Sequence, residues 1–530
     1  MGLQNCRCLL LVAFAASLVP GYCLAGSASS SAQSVSAGAA ARFLDQATWG
    51  PTPGSIAQLQ QVGITNWLAA QFALSTSDIP NQPMLTSAAL RNVDLGPVQA
   101  AFFQNTVTGE DQLRQRVAFA LSQIWVVSAE GGVPLAYAYP PYWRLFRDNA
   151  FGNYRDLIRA VTLSPAMGCY LNMANNNKAD PNKGTSANEN YARESMQLFT
   201  LGLTELHPDG TPVLDQNNNP IPIYDQTVVT NMAKLYTGWT YPTAPGATPK
   251  INNPPYFIGQ MFAVESEHDT TAKTIFANIT IPAGQTAEQD LESLVDAFMA
   301  QPTMAPFVSQ QLIQHLVTSN PSPQYIARVS SVFQNDGHGV TGNLQAVIAA
   351  ILTDPEARAG DDATAPVNPT FGHLREPALF IPNILRGLNA TLSSTSTVYY
   401  DTSALSEDLF NAPSVFSYFS PLYRLPDGLL GPEFQIYTTQ TAVERADIVS
   451  AILYGQIDKG TKVNLTPFVQ QAGSTSSLLS YISSIFLHGS MSSDLALAAT
   501  DAINAATTPL AKAKAALYVV LTSSEYQIVH

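Results

Sequence analysis

The segment Asn188-Glu189-Asn190-Tyr191-Ala192-Arg193-Glu194 concentrates charge in a chain that otherwise avoids it. Asp, Glu, Lys and Arg make up only 12% of the 530 residues, about half the share of an ordinary soluble protein. On a helix at about 100° per residue, Glu189, Arg193, Asn190 and Glu194 fall within one arc of roughly 140°. Tyr191, Leu198, Phe199, Ala192 and Met196 fill the opposite side. Two carboxylates in such a quartet can divide general acid and base work, with Asn190 and Arg193 placed to hold a substrate. Helix-start chemistry accounts for part of the same pattern. Ser186 stands three residues before Glu189 as in a capping box, Glu189 and Arg193 have the spacing of an ion pair, and Gly202 is a natural stop. Capping leaves Asn190 and Glu194 without a task.

A second constellation is Glu265, Glu267, His268, Asp269 and Lys273. His268 oriented by Asp269 makes a base, and Lys273 can bind an anionic group. A salt-bridged turn satisfies the same residues, because neighbours on a strand point to opposite faces. Arg114 falls on the apolar stripe of Leu113, Val117, Ala120, Leu121, Ile124 and Trp125, so it either snorkels or needs a carboxylate partner. Glu194 and Glu189 are the expected partners. His373-Leu374-Arg375-Glu376-Pro377 is a further polar element, or a helix start with a local ion pair. The seven histidines lack zinc-ligand spacing, so no metal site is expected. No nucleophile elbow, Walker loop or dinucleotide fingerprint appears, and no cofactor is identified.

These groups need a scaffold, and the periodicity predicts a mainly α fold: one large helical globular domain with small β-hairpin and Pro-rich excursions. Helical patterns cover Ala41 to Trp49, Pro53 to Gln61, Asn66 to Phe72, Asp111 to Val127, Tyr142 to Asn149, Tyr154 to Leu163 and Thr227 to Tyr236. More follow over Glu288 to Val317, Gln324 to Phe333 and Leu344 to Thr353. Turn residues predict excursions near 204–226 and 241–282. The domain is expected to span 42–530, after a flexible Ser/Ala-rich leader at 26–41.

Arg7, the apolar run Leu9 to Val19 and the small residue Ala25 read as a signal peptide over 1–25. The protein is thus expected to be exported, to the periplasm or beyond, with no transmembrane span in the mature chain. Cleavage leaves Cys169 alone and excludes an internal disulfide. The net charge of −14 and the lack of basic runs argue against nucleic acid.

Ala41-Arg42-Phe43-Leu44 with Thr48-Trp49-Gly50, Arg114 to Ser128, and Asn188 to Gly202 resemble the bacterial family of domain of unknown function 1800. Tyr236-Thr237-Gly238-Trp239, His268-Asp269 with Lys273, Arg375-Glu376-Pro377 and Phe410-Asn411-Ala412-Pro413 follow in the family's order. The resemblance implies an exported bacterial protein, often encoded near a secreted sulfatase-like protein, and supplies no activity. The chain departs from its relatives at Ala187, where many have Pro, and at Ser122-Gln123-Ile124, where many have His-Asn-His.

Two functional readings follow. In the first, the chain is a hydrolase or lyase acting on extracellular glycan. Glu189, Glu194, His268 and Asp269 are its catalytic candidates, and Arg114, Asn190, Arg193 and Lys273 bind substrate. In the second, the same groups order the helices of a non-catalytic envelope or assembly protein acting with a sulfatase-like partner. An enzyme needs Glu194, Arg193 and His268 on an open cleft, whereas a structural network is closed.

Overall fold

Many of the helices begin where a short polar side chain takes up a free N–H. Ser36 caps Ala37–Ala47, Thr52 caps Pro53–Ala73 with Ser55 reciprocating, and Asn153 caps Tyr154–Thr162. The computed structural model describes residues 35–84, 94–362 and 368–530. The expected signal segment and the first part of the leader lie outside them. Val35–His530 forms one compact unit, in which the described elements are helices and four two-stranded antiparallel pairs. The leader expected to run to residue 41 is already helical from Ala37, and Ala39, Ala40 and Ala41 are buried.

Gly63, at φ +78°, breaks Pro53–Ala73 into the two helices that the pattern predicts. The run Glu288 to Val317 also divides, into Ala287–Met299 and Met304–Leu316, with Pro302 between them. A helix not expected from the pattern, Gly96–Thr108, packs beside Gln112–Ile124. The latter is the centre of the fold. Leu113, Val117, Ala120, Leu121 and Ile124 are buried as expected, but so are Gln115, Arg116, Ala118, Phe119 and Gln123. A helix buried on nearly every side has no single stripe.

Two of the strand pairs are local and two join distant segments. Trp239–Thr240 pairs with Phe262–Ala263, and Lys273–Thr274 with Thr280–Ile281, inside the expected Pro-rich excursion. Bridges Thr204↔Pro222, Leu206↔Pro212 and Leu214↔Pro220 form the other excursion. His373–Leu374 pairs with Ile528–Val529, which fixes the polar element at 373–377 against the end of the chain. No helix among the described residues is long and apolar enough to cross a membrane.

Candidate functional site

The charged quartet lies on a short helix, Asn190–Glu194, that passes directly into a π-helical turn, Ser195–Thr200. Its start is not the capping box expected from Ser186: Asn188 Oδ1 accepts from the Asn190 N–H at 2.9 Å, and Glu189 occupies the cap position. The apolar face is as expected. Tyr191 is buried with its hydroxyl 2.7 Å from that of Thr162, and Phe199 stacks on Trp125. Glu189 pairs with Arg193 at 3.3 Å and also accepts from Gln226 Nε2 at 2.8 Å and Thr230 Oγ1 at 2.9 Å. It staples this helix to Gln226–Leu235. Asn190 donates to Asn172 Oδ1 at 3.2 Å. Glu194 is half-buried near Tyr170 and Tyr224, and burial outweighs Arg193 to raise its carboxyl above the ordinary range.

Arg114 does not meet Glu194 or Glu189. Its guanidinium donates to the Arg147 and Phe72 carbonyls, both at 3.3 Å, and lies over the Phe151 ring at 4.5 Å. Carbonyls and an aromatic face replace the expected carboxylate. The wholly buried arginine of this helix is Arg116 instead.

His268 and Lys273 come together as expected, but around a different acid. Asp290, one turn into Ala287–Met299, accepts from Lys273 Nζ at 2.5 Å and sits 3.0 Å from His268 Nε2. All three side chains have zero exposure. His268 Nδ1 lies 2.9 Å from the Thr237 carbonyl. Asp269 points away and takes the Thr271 N–H and hydroxyl in a local turn. The group is shut off from solvent, as in a structural network, and Asp290 Oδ1 is left without a partner.

Two further polar networks surround the 373–377 element. In the first, Arg375 pairs with Asp45 through two bonds of 2.6 Å, while Asp45 also accepts from Asn383 Nδ2 at 2.7 Å and His488 Nε2 at 2.9 Å. Burial alone would raise the Asp45 carboxyl, but Arg375 and His488 outweigh it and hold it far below the usual range. Beside His488 is a cavity of about 380 Å³, lined also by Arg42, Phe371 and Phe486. Its polar lining is largely engaged: Arg42 by Asp361, Glu356 by Ser322, and Glu525 by Ser492.

The second network is not satisfied. Glu376 accepts from Gln123 Nε2 at 3.1 and 3.0 Å and interacts electrostatically with Glu407, whose Oε2 accepts from the Ala378 N–H at 2.8 Å and whose Oε1 has no partner. Two buried carboxyl groups that repel each other do not both ionise. Burial pushes Glu376 up to about 7, and burial together with Glu376 drives Glu407 well above its ordinary value. His373 Nδ1 stands 3.6 Å from Glu433. Arg116 donates to the His315 carbonyl, yet its Nε and one terminal nitrogen have no partner. Burial, with Arg116 beside it, lowers His315 to about 3, so its imidazole is neutral.

A cavity of about 60 Å³ reaches this network, lined by Gln123, Gln311, His315 and Glu433 on one side and by Val415, Phe416 and Phe419 on the other. Gln123 Oε1, Gln311 Nε2 and Glu433 Oε2 are all buried without a partner. The smaller cavity is the stronger candidate than the larger one, because its polar groups are unspent. Among the described residues, no group of three or more His, Cys, Asp or Glu is arranged to hold a metal ion.

Sequence spacing brings none of this together, since Arg116, Glu376, Glu407 and Glu433 are far apart along the chain. The available signal was an arginine and a glutamine, Arg116 and Gln123, on a helix with a strong apolar stripe in its sequence, together with the Arg375-Glu376 pair. The chain belongs to the family described as Protein of unknown function (DUF1800), whose model matches residues 42–528, nearly the whole chain. No curated protein and no solved structure matches it.

Proposed function

We propose that the chain is an exported hydrolase or lyase acting on extracellular glycan, with its acid–base chemistry at the cavity walled by Gln123, Gln311, His315 and Glu433. The observation that carries this reading is that three residues lining one cavity, Gln123, Gln311 and Glu433, each keep a buried polar atom without a partner. Each such atom costs about 1–3 kcal/mol when unmet, and groups kept in that condition mark places where water or a ligand binds. Glu433, with a free oxygen, takes the proton from a water or from the sugar. Glu376, raised to about 7 behind Gln123, holds a proton that reaches a leaving group through a water in the cavity. Carboxyl groups in unlike environments divide base and acid roles in this way. Glu194, half-buried at the surface, is the second candidate acid.

Export to the periplasm or beyond rests on Arg7, the run Leu9 to Val19 and Ala25. A secreted sulfatase-like partner rests on the family resemblance alone. The closed His268–Asp290–Lys273 group favours the other reading, a non-catalytic envelope protein, for its own part of the molecule.

The test is a screen of secreted protein, its first residue read by N-terminal sequencing, against bacterial polysaccharides and sulfated glycans. Glu433→Gln and Glu194→Gln are run beside it. Glu433→Gln is expected to lower kcat/KM by roughly 10²-fold or more with an unchanged melt. A chain still beginning at Met1 overturns export. Wild type inactive on every glycan leaves the non-catalytic reading, and a fully active Glu433→Gln removes this cavity from the reaction.

A further inference from the structure

The cavity that reaches Glu433 is small and specific in what it offers. Its volume of about 60 Å³ is several times the ~10–15 Å³ that one water requires, but far below the ~300 Å³ at which ligand pockets begin. A whole sugar ring does not fit; a substituent of a few atoms does. The partnerless atoms are one donor, Gln311 Nε2, and two acceptors, Gln123 Oε1 and Glu433 Oε2. Gln123 is held in that sense because its Nε2 is committed to Glu376. The rest of the lining is mostly apolar, with Ile124, Leu198, Val415, Phe419, Pro421 and Pro432 beside the polar Gln314, His315 and Ser417.

One donor, acceptors and an apolar wall are the complement of a secondary amide capped by a methyl group. We propose that this cavity is the subsite for the acetamido group of an N-acetylated sugar. The substituent's carbonyl accepts from Gln311 Nε2, its N–H donates to Gln123 Oε1, and its methyl rests on the apolar part of the lining, which leaves Glu433 Oε2 free. An ammonium group in its place would leave Gln311 unmet, and a hydroxyl would leave the apolar wall uncovered. Phe416, which lines the cavity and is 41% exposed, offers the sugar ring a flat apolar face outside, with Leu422 and Tyr423 also exposed in the same segment. The inference rests on the glycan reading above and narrows its substrate class.

The experiment is calorimetric titration of the mature protein with the tetramer of N-acetylglucosamine, the tetramer of glucosamine and an N-acetyllysine peptide. The acetylated tetramer is expected to bind at least about tenfold more tightly than the other two, the worth of roughly one hydrogen bond. Gln311→Leu and Gln311→Glu both remove the donor, and each is expected to lose about that factor. Gln311→Glu keeps the size and polarity of the side chain, so it remains informative if Gln311→Leu misfolds. Equal binding of both tetramers, no binding at all, or full affinity in a folded Gln311→Glu overturns the subsite. A peptide bound as tightly as the acetylated tetramer overturns the sugar. Bound but uncleaved acetylated glycan upholds the subsite and removes the catalytic reading, whereas equal cleavage of unacetylated glycan does the reverse.

Discussion

The buried Glu376 carboxyl makes a pH dependence that runs against the usual carboxylate behaviour. Folding raises Glu376 from the ordinary 4.5 to about 7, chiefly by burial. Between those values the unfolded chain binds fewer protons than the folded one, so stability falls as pH rises from about 4.5 to about 7. The size of the effect is on the order of 3 kcal/mol. His315, lowered to about 3 by burial, contributes in the opposite direction and loses stability as pH falls below about 6.5. Comparing Glu376→Gln with wild type isolates the carboxyl. The variant's melting temperature is expected to gain on wild type as pH is raised from about 5 to 8, and a constant difference between the two melts would show that no proton is held there. At this scale the sequence was only partly legible. The charged quartet and the Glu189–Arg193 pair could be read from local spacing, whereas the expected pairing of His268 with Asp269 gave way to Asp290. The partners Asp290, Glu407 and Glu433 could not, because tertiary packing alone brings them in.

Elements were more legible than contacts, since apolar periodicity and caps act over a few residues. Leu344–Thr353 begins and ends where the pattern predicts, with Asn343 as its cap. What the pattern missed are local departures set by packing, such as the π-helical turn Ser195–Thr200 and the helix Gly96–Thr108. The loop after the first helix shows how tightly elements are fitted. Gly50 adopts φ +125°, and a Cβ there would lie 2.8 Å from the Asn383 Cα of helix Pro377–Gly387. Both the left-handed backbone and the close approach require glycine. Gly50→Ala therefore has to move one backbone against another, and an expected loss of about 3 kcal/mol or more follows. Urea unfolding checks this; a midpoint within error of wild type would mean the two elements are free to separate.

At the scale of the whole molecule, the few charges that this chain carries are placed where distant segments must be joined. Asp45 sits on the first described helix, Arg375 at the strand pair formed with Ile528–Val529, and His488 after the helix Thr475–Phe486. Their meeting point closes the chain on itself, and Arg375 also receives the Arg445 guanidinium on its backbone carbonyl at 2.8 Å. Such a buried pair contributes little relative to a well-packed apolar replacement, but breaking it from one side strands a charge. Asp45→Asn keeps the shape and much of the hydrogen bonding while leaving Arg375 without its counter-charge. The expected cost is about 3–5 kcal/mol, seen as a single early transition, because the joined segments belong to one compact unit. The same carboxylate, held far below its ordinary value, loses its contribution only as pH falls below about 4. Wild type and Asp45→Asn should accordingly converge in stability in strong acid and differ most near neutrality. Melts that differ equally at every pH would assign Asp45 a packing role and leave the neutralisation of Arg375 to other groups.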